Sequence, residues 1–155
     1  MVLFDAGVLI KLLDPKTPAI QKAKLDYLLT TLQKSRTKIL IPTPALAEFY
    51  VKASPDALAE LKGKAFIIIA PFDEKAAIEC AISIAGALGS NQKKGPQAEA
   101  SWQKIKFDHQ IVAIAKSNGV KVIYSEDAGL RKFATALGLN AFCTDDLPDG
   151  MESNI

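Results

Sequence analysis

The chain has 155 residues, of which 49% are hydrophobic and 23% charged, a composition typical of one globular domain and not of a disordered chain. Nineteen basic and 17 acidic residues give a formal net charge of +2, so charge alone neither requires nor excludes a nucleic-acid partner. The amino terminus has no basic segment before its apolar run, and no apolar stretch approaches the ~20 residues that cross a bilayer, so we expect a cytoplasmic protein without a membrane segment.

Hydrophobic periodicity and turn residues predict strands that alternate with helices along the chain. Thr43 and Ser54, each followed by proline, are predicted helix N-caps. The most apolar run, 65–70, predicts a strand buried on both faces. In chain order we expect a strand at 2–4, a helix ending near 13, a helix at 19–33, a strand at 38–41, helices at 44–52 and 55–63, the strand at 65–70, helices at 74–88 and 97–118, a strand at 120–124, a helix at 128–137 and a strand at 140–143.

This alternation predicts an α/β fold, a three-layer α/β/α sandwich around a mostly parallel sheet of about five strands. We expect one domain at 1–147 and a polar tail at 148–155. The segment 89–95 is polar and glycine-bearing, and is predicted to be a loop.

Two aspartates stand where predicted strands end. Asp5 directly follows the first strand, and Asp127 lies three residues after Tyr124, the end of the fourth. Ligands of open α/β sheets bind outside the carboxyl ends of the strands, so both carboxylates are expected at one edge. Aspartate is also a common turn and capping residue, which is the structural alternative for each.

Two further acids stand in apolar surroundings within predicted helices. Asp108 is followed by apolar residues at i+3, i+4 and i+7, which places its carboxylate on the buried face of the helix. Glu48 is the only charge in its ten-residue segment, with Ala45 and Val51 at i−3 and i+3, and we expect it to be buried as well. Buried carboxylates are costly, and they persist mainly where something binds them.

Four acids gathered at one edge would repel one another and raise one another's pKa values unless a cation neutralised them. Two cysteines and one histidine offer no zinc-site spacing, and an all-oxygen site suits Mg²⁺ or Mn²⁺. Such a metal can activate water and stabilise charge on a phosphodiester. The residues therefore predict a metal-dependent hydrolase with Asp5, Glu48, Asp108 and Asp127 in its active site.

The chain resembles the PIN-domain family of ribonucleases over nearly its whole length. The resemblance rests on VLFDAGVLI, PALAEF, FDHQIVAIAK and VIYSEDAGL, which carry the four acids in order, with the hydroxyl of Ser125 two places before the last. It implies an α/β/α sandwich, Mg²⁺ or Mn²⁺ held by Asp5, Asp108 and Asp127, and single-stranded RNA as substrate. Small prokaryotic members are often toxins that are neutralised by an antitoxin and form homodimers.

The chain departs from the family pattern after the first aspartate, where Ala6 and Gly7 replace the usual Thr or Ser. Glu126, beside Asp127, is a further acid that could reach the metal, although the register with Ser125 favours Asp127.

Several side chains are candidates for binding the substrate. Lysines supply sequence-independent phosphate affinity, although a solvated helix face is the alternative. Trp102 could stack on a base, although a core or interface position is commoner. His109 is one helical step from Asp108 and is expected to turn away from the carboxylates. The candidate substrate-binding residues are Ser125, Lys93, Lys94, Lys104 and Lys106.

The sequence also bears on three other functions. A catalytically silent PIN-like module that binds RNA or protein stays open because of Ala6 and Gly7. A phosphoacceptor receiver domain is excluded because its acidic pair, phosphoacceptor aspartate and lysine are absent from the ends of the first, third and fifth predicted strands. A dinucleotide-binding site is excluded because no G-x-G-x-x-G follows a strand.

Overall fold

The computed structural model describes residues 1–89 and 102–151, without the side chains of 87–89 and 102–105. Strands and helices alternate in the predicted order. The strands are β1 (Val2–Phe4), β2 (Ile39–Pro42), β3 (Ile67–Ala70), β4 (Val122–Tyr124) and β5 (Asn140–Phe142). The helices are α1 (Ala6–Leu13), α2 (Ala19–Lys34), α3 (Thr43–Lys52), α4 (Pro55–Lys62), α5 (Glu74–Gly89), α6 (Trp102–Ser117) and α7 (Ala128–Ala136), and a one-turn 3₁₀ helix follows at Thr144–Asp146.

The five strands form one parallel sheet in the order β3-β2-β1-β4-β5. The chain builds outward from β1 to β3 on one side, then crosses to β4 and β5 on the other. The boundary between β1 and β4 is therefore the topological switch point, where open α/β sheets form a ligand crevice.

The sheet is covered on both faces, which confirms the predicted three-layer sandwich. Alternate residues of β1 serve opposite layers, since Val2 and Phe4 pack in the core with α1–α4, whereas Leu3 packs in the core with α5–α7. The central strands β1 and β2 are buried throughout. In the described part of the chain, no helix is long and apolar enough to cross a membrane.

Two local predictions are wrong. The β3 strand is only partly covered at Ile67–Ile69, because it lies at the edge of the sheet and not at its centre. Thr43 does not cap α3, since the helix begins at Thr43 itself, after Pro42. The cap at Ser54 is confirmed, because its hydroxyl accepts from the backbone N–H of Asp56 at 3.2 Å.

The predicted polar tail at 148–155 is partly packed. Gly150 lies against the ring of Tyr27 in α2, and a Cβ at this glycine would stand 2.6 Å from the ring. Residues 152–155, the predicted loop from residue 90 onward and the predicted start of the long helix at 97–101 lie outside the described residues.

Candidate functional site

Backbone pairing at the switch point places Asp5 beside Ser125. The N–H of Asp5 donates to the carbonyl of Tyr124 at 3.0 Å, which extends the β1–β4 ladder past the end of β1. Ser125 comes next in the chain, so the two side chains emerge together at the carboxyl edge. Two short neighbouring strands thereby bring a carboxylate and a hydroxyl together at the edge where the sheet topology predicts a crevice.

The Asp5 carboxylate is only half satisfied by the protein. Its side chain is buried, with 6% of the residue exposed. Oδ2 accepts a hydrogen bond from the Ser125 hydroxyl at 2.8 Å, whereas Oδ1 is buried and has no hydrogen-bond partner among the described residues. A buried carboxylate oxygen without a partner is destabilising, so this atom is a ready ligand for a cation.

Burial raises the pKa of Asp5 from 3.8 to about 6. Hydrogen bonds from Ser125 and the Ala6 backbone oppose this rise in the pKa, and the negative charges of Glu48 and Asp127 add to it. The electrostatic effect on one carboxyl shows that the structure brings Asp5, Glu48 and Asp127 into one neighbourhood.

Ser125 links two of the acids. The residue is fully buried, and its hydroxyl donates to Asp5 while it accepts from the backbone N–H of Asp127 at 3.1 Å. These bonds tie Asp5 to the start of α7, and the predicted contact of Ser125 with a substrate stays a prediction.

Asp127 is the N-cap of α7. Its Oδ1 accepts from the backbone N–H groups of Gly129 at 2.8 Å and Leu130 at 3.2 Å. The capping alternative weighed for this aspartate is thus correct at Oδ1, and the cap fixes the carboxylate at the same edge as Asp5. The positive end of the helix dipole also favours its negative charge.

Glu48 is not buried as expected. Its side chain is 49% exposed and forms an ion pair with Lys52, one turn along α3, at 3.1 Å. The prediction of burial rested on the apolar residues three positions before and after Glu48. Ala45 is buried, but Val51 is 85% exposed, so this side of the helix faces solvent. The charge of Glu48 still reaches Asp5 from this rim position.

Asp108 is buried as expected, with 4% of the residue exposed. The apolar residues that follow it on α6 pack in the core between the helix and the sheet. Because α6 contacts both β2 and α3, Asp108 and Glu48 stand on neighbouring helices. His109 is also buried, 3.4 Å from the Ser83 hydroxyl and edge-on to the ring of Phe133, so it packs against α5 and α7.

Glu126 is engaged away from Asp5. Its carboxylate accepts from Lys11 Nζ at 2.7 Å and from the backbone and hydroxyl of Thr144. Burial alone would raise the pKa of Glu126, but these hydrogen bonds outweigh it and hold the pKa below its usual value. Sequence reasoning missed this network, because Lys11 and Thr144 are distant from Glu126 along the chain.

The Glu126 network also accounts for Gly7. A Cβ at position 7 would stand 3.1 Å from Cβ and 3.2 Å from Cγ of Glu126. The Cβ and Cγ of Glu126 therefore occupy the space that a side chain at position 7 would need. Lys11 and Thr144 hold Glu126 in this place.

The side chains of most of the lysines predicted to bind the substrate lie outside the described part of the structure. Lys93 and Lys94 lie outside the described residues, as do the side chains of Lys104 and Trp102 on α6. Lys106 is exposed on α6, which agrees with its expected accessibility.

No protein-family model matches the sequence, and no curated protein matches it significantly. Solved structures do match. VapBC2 from Rickettsia felis, bound to a DNA fragment from its promoter, gives a TM-score of 0.62 at 15% identity, covering 92% of this chain and 98% of that chain. DNA-bound VapBC from Salmonella typhimurium gives 0.61 at 18% identity, covering 92% and 97%. VapC, the toxin of such complexes, is a PIN-domain protein.

The chain has a PIN-like fold. At 15% and 18% identity the likeness establishes the fold, and fold alone does not establish function. In this PIN-like fold, Asp5 and Asp127 lie at the carboxyl edge beside the switch point, and Asp5 has a buried oxygen without a partner among the described residues.

Proposed function

We propose that this protein is an endoribonuclease that uses Mg²⁺ or Mn²⁺ to hydrolyse phosphodiester bonds of single-stranded RNA. The observation that carries the proposal is the buried Oδ1 of Asp5, which has no described partner and lies at the ligand crevice of a PIN-like sheet. A carboxylate whose pKa is raised by burial, and further by neighbouring acids, is stabilised in its ionised form by a bound cation.

The residues present fit a hard divalent cation. Carboxylate oxygens are the ligands that Mg²⁺ and Mn²⁺ prefer, and the chemistry around Asp5 is carboxylate and hydroxyl. Within residues 1–89 and 102–151, no three His, Cys, Asp or Glu side chains already stand together as a metal cage. Glu48 forms an ion pair with Lys52 instead.

Each acid has a distinct part in the proposed reaction. Asp5 presents Oδ1 to the metal, held in orientation by Ser125, and Asp108 and Asp127 supply further carboxylate. A bound Mg²⁺ or Mn²⁺ would activate a water molecule and neutralise charge on the phosphate. Glu48, at the solvent-exposed rim, orients the attacking water and accepts its proton. The water oxygen bonds to phosphorus, the phosphorus–oxygen bond to the leaving group breaks, and that oxygen is protonated from solvent.

We further propose that the protein is the toxin of a toxin-antitoxin pair. The support is the overall likeness to the two VapBC complexes, which covers 92% of this chain. An antitoxin made beside the nuclease would limit its damage to cellular RNA. Co-expression with the product of the neighbouring reading frame should give a stable complex that no longer cleaves RNA.

The nuclease proposal is tested by incubating purified protein with varied single-stranded RNAs in Mg²⁺ or Mn²⁺. Cleavage should stop with EDTA, and Asp108→Asn should lose turnover by orders of magnitude while it keeps RNA affinity. Asp56→Asn, which removes an exposed carboxylate from α4, is the matched control and should cleave like the wild type. Cleavage by Asp108→Asn equal to that of wild type would show a contaminating ribonuclease. RNA binding with no metal-dependent cleavage would support the silent module instead.

A further inference from the structure

The amino edge of the sheet, opposite the carboxylates, carries a row of positive charges. Val2 pairs with Ile39 on one side and with Val122 on the other. This register places Lys38 and Lys121 at one level, each immediately before its strand. Neighbouring strands lie ~4.8 Å apart, so the backbones of these two lysines lie roughly 10 Å apart, on either side of the start of β1.

The segments that lead into β2, β3 and β4 are cationic and contain no acid. None of their cations forms one of the ion pairs found within the described ranges, which involve Lys11, Lys22 and Lys52. At the carboxyl edge, in contrast, Lys11 and Lys52 are each paired with an acid. The formal charge of +2 therefore conceals a basic edge and an acidic edge. The exposed cations of the basic edge are Lys34, Arg36, Lys38, Lys62, Lys64 and Lys121.

A groove opens on this basic edge between the α2–β2 turn and the residues before β3. We call it the amino-edge groove. Its wall includes Phe66, a partly exposed aromatic residue that also packs against the core, beside two cations. A positively charged groove with an aromatic wall is the usual arrangement for single-stranded nucleic acid, because phosphates meet the cations and a base stacks on the ring. The groove is lined by Gln33, Arg36, Thr37, Lys38, Ala65 and Phe66.

Arg36 occupies a backbone position that favours glycine. Its φ is 55°, in the left-handed region, where it ends α2. The N–H of Thr37 donates to the carbonyl of Leu32 at 2.8 Å, and the N–H of Arg36 donates to that of Gln33 at 3.1 Å. This is the helix-ending turn in which glycine is most common, so a β-carbon there is strained. Glycine at position 36 would therefore make the fold more stable than arginine does.

We propose that the amino-edge groove is a second binding site for single-stranded RNA, which holds the substrate strand away from the cleavage site. Arg36 and Lys38 contact phosphates, and Phe66 stacks on a base. Because the carboxyl edge is acidic, backbone affinity has to come from elsewhere on the surface, and this edge supplies unpaired cations. The choice of RNA over other polyanions rests on the proposed nuclease function.

The test compares Arg36→Gly/Lys38→Ala with the control Lys24→Ala/Lys75→Ala, which removes the same charge elsewhere. Fluorescence anisotropy measures the affinity for labelled single-stranded RNA across a salt series in EDTA, so that no cleavage is needed. The groove variant should bind more weakly, and its log–log salt slope should flatten by about 1.4, at about 0.7 for each lost phosphate contact on a single strand. The control should keep the wild-type slope.

A second readout separates binding from stability. Arg36→Gly alone should raise the Tm by about 2–4 °C while it weakens RNA binding, since glycine relieves the left-handed turn. Equal slopes in the groove and control variants would overturn the proposal, as would tighter groove-dependent binding of duplex DNA or of an acidic peptide. If the groove variant loses affinity but the wild type never cleaves RNA, the nuclease proposal fails and the groove stands. If cleavage occurs and the slopes are equal, only the groove proposal fails.

Discussion

At the scale of single residues, the buried carboxylate of Asp5 lowers the free energy of unfolding when it is ionised and no cation is bound. Its pKa is about 6 in the folded chain and 3.8 for the ordinary carboxyl, so the folded state holds the proton more tightly between these values. Stability therefore falls as pH rises from about 4 to about 6, and the loss is complete above that window. At about 1.4 kcal/mol for each pH unit of difference, the penalty is about 3 kcal/mol.

Asp5→Asn should remove this penalty in metal-free buffer. Urea unfolding in EDTA at pH 4 and pH 7 should show the free energy of unfolding of the variant rising relative to that of the wild type by roughly 2.5 kcal/mol as pH rises. Glu60→Gln, an exposed carboxylate on α4, controls for general charge effects and should show no such gain. A difference between wild type and Asp5→Asn that does not change with pH would mean that the Asp5 carboxyl is not costly to ionise.

Gly7 and Glu126 should behave as a coupled pair. Gly7→Ala places a Cβ about 3.1 Å from Glu126, whose carboxylate is anchored, and should destabilise the fold by about 1–3 kcal/mol. In a Glu126→Gly background the obstruction is gone, and the same change should instead stabilise, because alanine is the better helix former. Urea unfolding of the four proteins measures the coupling, and an identical effect of Gly7→Ala in both backgrounds would refute it.

The sequence predicts the placement of a residue when it depends on neighbours within the same helix. It does not predict a placement that depends on contacts between distant parts of the chain. Asp108 was predictable, since its burial follows from apolar neighbours one and two turns along the same helix. Glu48 was not, because an exposed Val51 looks the same in sequence as a buried one. The positioning role of Ser125 depends on the pairing of β1 with β4, which joins residues 120 positions apart.

At the scale of elements, α7 depends on Asp127 for its first turn. Asp127→Ala should cost about 1 kcal/mol in the free energy of unfolding, because two backbone N–H groups lose their acceptor. Asp127→Asn keeps a capping oxygen and should retain most of that stability while it loses the carboxylate charge. Thermal unfolding with and without Mn²⁺ separates the capping role from the metal-binding role. If Mn²⁺ raised the Tm of Asp127→Asn as much as that of the wild type, Asp127 would act only as a helix cap.

Element positions were predictable where a local pattern determines them. Ser54-Pro55 marks a helix start that the structure confirms, since the Ser54 hydroxyl accepts from the backbone N–H of Asp56. The helix predicted at 74–88 begins at Glu74, where Asp73 accepts from the backbone N–H of Ala76 at 2.9 Å. The partial exposure of β3 was not predictable, because an apolar sequence of this kind occurs both in central strands and in edge strands of a sheet. Strand order depends on pairings between distant segments, which periodicity does not encode.

At the scale of the whole molecule, the fold brings acids from β1, α3 and the β4–α7 turn into one electrostatic neighbourhood. Alternation of strands and helices predicts the parallel sheet, and the carboxyl-edge rule then predicts where the acids meet. What the sequence leaves open is how these acids are held in the folded chain. Asp127 caps a helix, Glu48 pairs with Lys52, and Asp5 retains one oxygen without a described partner.

The central claim is that this neighbourhood binds a divalent cation through Asp5, and metal-dependent thermal unfolding tests it most directly. Mn²⁺ at 100 times its Kd should stabilise the wild type by about 2.7 kcal/mol. In a domain of this size that corresponds to a rise of roughly 5–10 °C in Tm. Asp5→Asn should show no rise, whereas Glu60→Gln should respond like the wild type. A full Mn²⁺ response in Asp5→Asn would contradict the account, because the metal would then be held elsewhere.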